Sequence, residues 1–132
     1  MKTSNSTLGE IVSLINKAEK LLVVGHIAPD GDSLGSSIAF ARLLRQLGKE
    51  TQVACLDRIP PRYEFLLRYA PLITEVGQLP REVDCLVVVD CGDLVRTGLP
   101  ETYVTGLTVV NIDHHVSNRG TWGKSWVDED SS

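Results

Sequence analysis

Apolar and polar positions alternate along this chain in two rhythms. Ile11, Leu14, Ile15 and Ala18 recur at helical spacing behind Thr7-Leu8-Gly9-Glu10, which has the pattern of a capping box. The run Leu21-Leu22-Val23-Val24, short and partly β-branched, predicts a buried strand that stops at Gly25-His26. A helical rhythm then returns: Leu34, Ile38, Ala41 and Leu44, with Phe40, Leu43 and Leu47, make one apolar face. Ser33 stands as its cap and Gly48 where a C′ glycine belongs, with Arg42, Arg45 and Lys49 on the solvated face. Residues 51–56 read as a second strand. Pro60-Pro61 opens a short helix to about Tyr69, with Phe65 and Leu66 inward, and residues 71–80 connect through a short strand around Ile73. Residues 83–90, VDCLVVVD, carry the strongest strand signal, and residues 107–112 form another that runs into Asp113-His114-His115.

Strands alternating with helices predict an α/β fold, a mainly parallel sheet flanked by helices on both faces. The near-continuous apolar strands fit burial on both faces. The chain shows no internal repeat or low-complexity segment, and residues 1–5 read as a tail.

Composition adds limits. A chain of 132 residues, 42% hydrophobic and 23% charged, suits one globular domain. No apolar run approaches the ~20 residues of a membrane span, and MKTSNSTLGE has no secretory h-region, so the cytoplasm is the default location. A net charge of −4 argues against coating long duplex nucleic acid, whose phosphates call for a basic surface. A short or small phosphorylated ligand is compatible if bound metal brings the positive charge. Cys55, Cys85 and Cys91 show no C-x-x-C spacing and are expected to be reduced and partly buried.

The chemistry sits at strand ends. VVGH ends at His26, with Asp30 and Asp32 just beyond; LVVVD ends at Asp90; VVNIDHH ends at Asp113, His114 and His115. Alone, each would be a turn residue or helix cap. If the three strands are adjacent and parallel, all seven groups converge on one rim, where open parallel sheets bind ligands. Carboxylates with imidazole and no thiolate suit Mn²⁺, Mg²⁺ or Fe²⁺ better than structural zinc. So many acids would repel one another without cations between them, and their excess over one ion's needs favours two ions. Asp90, at the end of a buried strand, is the candidate bridge. Gly31, Gly35, Ser36 and Ser37 would let the helix sit close to the sheet.

Two other chemistries fit the residues less well. GDSL at residues 31–34 invites a serine esterase with Ser33 as nucleophile, but no His follows an Asp at the required offset, and the metal-type residues go unused. GHIAPDG has acids where a Rossmann glycine fingerprint needs bare backbone. Trp122 and Trp126 are expected to cover core rather than stack on bases.

GHIAPDGDSLGS, VVVDCGD and NIDHH resemble motifs I, II and III of the DHH phosphoesterase superfamily, and the PDGDS box with the W-V-D-x-x-x-S ending resembles its nano-RNase and phosphoadenosine-phosphate phosphatase branch. The resemblance implies a DHH-type domain in which His26 and Asp30 bind one Mn²⁺, Asp32 and His114 a second, and Asp90 bridges them. Mg²⁺ or another divalent ion could replace manganese. Asp113 would orient an imidazole and His115 would face the scissile phosphate. Ser33, Arg96 and Arg119 are candidates for substrate contact. The implied reaction is two-metal, hydroxide-driven hydrolysis of a short oligoribonucleotide or small phosphorylated nucleotide, with a homodimer allowed. The family's fourth-motif aspartate and DHHA1-type domain find no match, so residues 1–132 read as the N-terminal part of a longer protein. The alternative is an inactive metal-binding piece or binding module.

Overall fold

The computed structural model describes residues 7–115, 118 and 122–130. Six strands form a single sheet: β1 (Lys20–Val24), β2 (Glu50–Ala54), β3 (Leu72–Ile73), β4 (Cys85–Val89), β5 (Thr108–Asp113) and β6 (Lys124–Val127). Their order is β3-β2-β1-β4-β5-β6, and every pairing is parallel. The chain builds outward from β1 on one side and from β4 on the other, so the order reverses between these two central strands. Such a reversal opens a crevice at the strands' carboxyl ends.

Side chains alternate between two cores, as strand pleating requires. Val23, Val53, Val87 and Val110 pack under α1 (Leu8–Lys17) and α2 (Gly31–Gln46). Leu22, Val24, Leu86 and Val88 face the opposite way, beneath Leu94, Leu99, Tyr103 and Val104. That second face is roofed by the single-turn α3 (Glu101–Val104) and a 3-10 segment, Leu94–Thr97. Both faces are covered, as the sequence predicts.

α1 starts with the expected capping box: Thr7 Oγ1 accepts from Glu10 N, and Glu10 reaches back to Thr7 N. Lys49 is not simply solvated, since its Nζ donates to the carbonyls of Asn16 and Ala18 at the end of α1. Arg42 and Arg45 likewise donate to the carbonyls of Tyr69 and Thr51. Gly48 ends α2 with φ 85°, in the left-handed region that glycine adopts freely.

Several expectations need correction. The cap of α2 is Asp30, whose Oδ1 accepts from Ser33 N at 2.8 Å, and Ser33 lies inside the first turn. Leu43 and Leu47 are exposed. Residues 61–68 form the expected short helix, of 3-10 type, but Phe65 is 57% exposed, while Leu66 packs inward. The glycine that lets α2 approach the sheet is Gly25: a Cβ there would lie 2.1 Å from Ser33 Oγ. A Cβ on Gly35 would meet nothing within 4 Å. The edge strand β6 had no signal in the apolar pattern.

Candidate metal centre

The crevice between β1 and β4 is where the acids and imidazoles gather. β1 ends at Val24 and delivers His26; β4 ends at Val89 and delivers Asp90; β5 ends at Asp113 and delivers His114 and His115. Register makes this a consequence of strand length: Val24 pairs with Val88, and Val89 with Ile112. The three tips finish level with one another.

Asp90 stands at the centre, 6% exposed. Its Oδ1 lies 2.7 Å from His114 Nε2 and 3.8 Å from His115 Nε2. Its Oδ2 lies 3.7 Å from His26 Nε2. Asp90 has φ 53°, a left-handed backbone that Asp tolerates better than most residues. Asp30 Oδ1 lies 3.9 Å from His26 Nε2, so Asp30 is helix cap and rim carboxylate at once. Asp32 Oδ2 lies 3.2 Å from His114 Nε2, and Ser36 Oγ donates to its other oxygen.

The imidazoles are pre-set. His26 Nδ1 lies 2.7 Å from the carbonyl oxygen of Ile27, which can only accept, so the neutral ring carries its proton on Nδ1 and turns the Nε2 lone pair to the rim. His115 Nδ1 lies 2.6 Å from Asp113 Oδ1, an equivalent arrangement. Tied Nδ1 atoms are the usual support of metal-binding or proton-exchanging imidazoles.

Electrostatics agree. Burial holds the Asp90 carboxyl above its ordinary range, and the neighbouring Asp32 and Asp30 charges push the same way against the pull of His114 and His115. The hydrogen bond to Asp90 raises His114, with the charges of Asp90, Asp32 and Asp113 adding to it against burial. The cluster draws positive charge towards itself, as a cation site must. Asp90, Asp113, His114 and His115 form one group whose potential ligand atoms lie within 4.8 Å of one another, and His26, Asp30 and Asp90 form a second. The donor set fits hard or borderline divalent ions, and Asp90 belongs to both groups. Beside it opens a cleft of ≈ 290 Å³, lined by Asp32, Asp90 and His114 together with Phe40, Ile112 and Trp126.

Three supporting residues escape a reading of the sequence. Asp57, after β2, accepts from Ala28 N at 2.6 Å and so holds the loop between His26 and Asp30, where Ala28 has φ 53°. Its backbone hydrogen bonds from Ala28 and Arg58 lower its pKa. Asn111 and Asn118, both buried, join in a hydrogen-bonded chain that reaches Asp113.

Other candidates fall elsewhere. Ser33 is 1% exposed with Oγ against His26 N, so its hydroxyl serves packing and cannot act as an esterase nucleophile. Arg96 is exposed on the 3-10 segment; its carbonyl accepts from Ile27 N, and its side chain forms no ion pair among the described residues. Arg119 lies outside the described residues. Trp122 and Trp126 both pack on core, and Trp122 Nε1 donates to Gly92 O. The cysteines are free and buried; burial pushes Cys55 and Cys85 up to about 11 and raises Cys91. None has the thiolate character of a nucleophile. Among the described residues no helix is long and apolar enough to cross a membrane.

Fold and site together define a doubly wound parallel α/β domain with an acid–imidazole cluster, a candidate metal centre, at its switch point. The chain belongs to the DHH family: residues 20–127 match the description "DHH family, N-terminal domain". It is 38% identical over 100 residues to the bifunctional oligoribonuclease and PAP phosphatase NrnA of Thermus thermophilus, a match covering 74% of this chain and 28% of that protein. It is 34% identical over 100 residues to a probable manganese-dependent inorganic pyrophosphatase of Enterococcus faecalis, covering 73% of this chain and 31% of the relative. Among solved structures, an exopolyphosphatase-related protein from Bacteroides fragilis has the same fold, with TM-score 0.78 at 20% identity over 94% of this chain and 39% of the other. The matched region thus spans less than a third of the length of these two curated relatives.

Proposed function

We propose that this domain is the metal-holding part of a manganese-dependent phosphoesterase that hydrolyses short oligoribonucleotides or small nucleotide phosphoesters. The observation that carries the reading is Asp90, whose two oxygens face two different ligand groups across the switch point. His26 and Asp30 would hold one ion and Asp32 and His114 the other, with Asp90 shared. A pair of divalent ions so held supplies positive charge to phosphoryl oxygens and lowers the pKa of bound water. The chain's own contribution is orientation: His115 directs Nε2 into the same space, where it can meet a phosphoryl oxygen or pass a proton to the leaving group. Arg96 and Arg119 are the candidate cations for further phosphate oxygens.

The apolar lining that Phe40, Ile112 and Trp126 give the cleft supports a substrate with a nucleoside moiety over inorganic pyrophosphate. The acidic net charge supports a short ligand over a long duplex. Three buried, reduced thiols fit a cytoplasmic setting. Homodimer assembly, and a longer chain that adds the fourth-motif aspartate and a DHHA1-type domain, belong to the same proposal.

A second reading is favoured by the short share of the relatives' length that is matched: these residues hold the ions without turning substrate over. The test measures Mn²⁺ binding, and mononucleotide release from a short 5′-phosphorylated oligoribonucleotide, for this chain and for a form extended at its C-terminus. Release by either form supports the hydrolase. Ion binding with both forms silent overturns it in favour of a binding module.

A further inference from the structure

We infer that Asn111 and Asn118 are positioning residues acting in series on His115, fixing which of its ring nitrogens carries the proton. Asn111 is wholly buried on β5, and its Nδ2 donates to two backbone carbonyls, Val88 O at 3.2 Å and Cys91 O at 3.1 Å. Carbonyls only accept, so this amide has one possible orientation, with Oδ1 turned away from them. Asn111 Oδ1 accepts from Asn118 Nδ2 at 2.7 Å, which fixes the second amide. The same Nδ2 donates to Asp113 Oδ2 at 2.9 Å. With Oδ2 so engaged and its side chain fully buried, Asp113 offers Oδ1 to His115 Nδ1 at 2.6 Å. The direction of every donor therefore propagates from the β4 backbone to the ring. At its end, His115 carries the proton on Nδ1 and directs the Nε2 lone pair towards Asp90 Oδ1, 3.8 Å away.

Neither asparagine would touch an ion or a substrate. Their effect passes through Asp113, and buried polar chains of this kind hold one geometry because each broken link leaves an unpaired group in the interior. The use made of Nε2 rests on the proposed hydrolase reading; the position of the ring proton does not.

The experiment is ¹⁵N NMR of the histidine side chains of this chain, in the presence of a chelator and at a pH where the rings are neutral. In the wild type the Nδ1–H form of His115 is expected to predominate, and the side-chain amide protons of Asn111 and Asn118 to exchange slowly with solvent. Asn118→Ala is expected to lose that predominance, Asn111→Ala to weaken it, and the double variant to match Asn118→Ala, because the links are in series. A wild-type His115 in the Nε2–H form, rapid exchange of both amides, or a folded Asn118→Ala with the wild-type tautomer would overturn the inference. The wild-type measurements decide the matter if the variants do not fold. Hydrolysis is not needed for the readout, so failure here and failure of the hydrolase reading are separable.

Discussion

His114 Nε2 lies 2.7 Å from Oδ1 of Asp90, and the other oxygen of the same carboxylate faces away from it, towards His26. A group that serves two ions needs both oxygens. Asn keeps the shape of Asp and also tolerates the left-handed backbone at position 90, so it isolates the loss of one ligating oxygen and the charge. Asp90→Asn is expected to lower Mn²⁺ stoichiometry to at most one per chain. Affinity should fall by more than the ~100-fold that loss of a supporting partner can cost. Isothermal titration checks it, and two ions bound per chain at wild-type affinity would remove the bridging role.

Asp57 should matter to one side of the site only. It holds the Ala28 amide in a loop whose backbone strain needs an outside restraint, and that loop carries His26 and Asp30. Asp57→Ala is expected to weaken ion binding at the His26–Asp30 position by ~10-fold, as supporting partners do. The Asp32–His114 position, built on α2 and β5, should keep its affinity. Equal weakening of both ions in a two-site titration would show that Asp57 acts on the fold at large.

The rim was legible in the sequence because it depends on strand direction and length alone. Apolar runs mark β1, β4 and β5, parallel pairing aligns their ends, and the residues after those ends are acids and imidazoles. The supports were not legible, because their partners are distant in the chain: Ala28 meets Asp57 29 residues on, and Asn111 meets Val88 23 residues back. β6 escaped because Lys124-Ser125-Trp126-Val127 carries little apolar pattern, and Ser125 is buried by its pairing with β5. Phe65 is exposed because residues 61–68 form a 3-10 segment, which turns every ~3 residues, so Phe65 and Leu66 do not share an inward face.

Asp84 ties the start of β4 to the start of β1. Its Oδ2 accepts from Glu19 N at 3.0 Å and Lys20 N at 2.9 Å, at the entry of β1. These hydrogen bonds hold its carboxyl below the ordinary carboxylate range. A carboxyl whose folded pKa is depressed stabilises the fold above its unfolded pKa, and the gain is lost as pH falls through the folded value. Asp84→Asn is therefore expected to lower the urea midpoint at neutral pH and to flatten its decline below about pH 4. Parallel acid limbs for variant and wild type would show that Asp84 carries no such linkage.

Gly25 tests whether the close seating of α2 shapes the site. A methyl group there would lie 2.1 Å from Ser33 Oγ and 3.2 Å from Ser37 Oγ, so the Ser33 hydroxyl must turn aside or the start of α2 must shift to admit it. Overpacking of this kind costs ~1–3 kcal/mol. The shift would carry Asp30 and Asp32 with it, since both flank the first residue of α2. Gly25→Ala is thus expected to lower the denaturation midpoint and Mn²⁺ affinity together. Ser33→Ala removes the nearest clashing atom, whose hydroxyl makes only a 3.4 Å contact with His26 N. The double variant Gly25→Ala/Ser33→Ala should therefore recover part of both losses. A lowered denaturation midpoint with wild-type Mn²⁺ affinity in Gly25→Ala would separate the packing at Gly25 from the placement of the carboxylates.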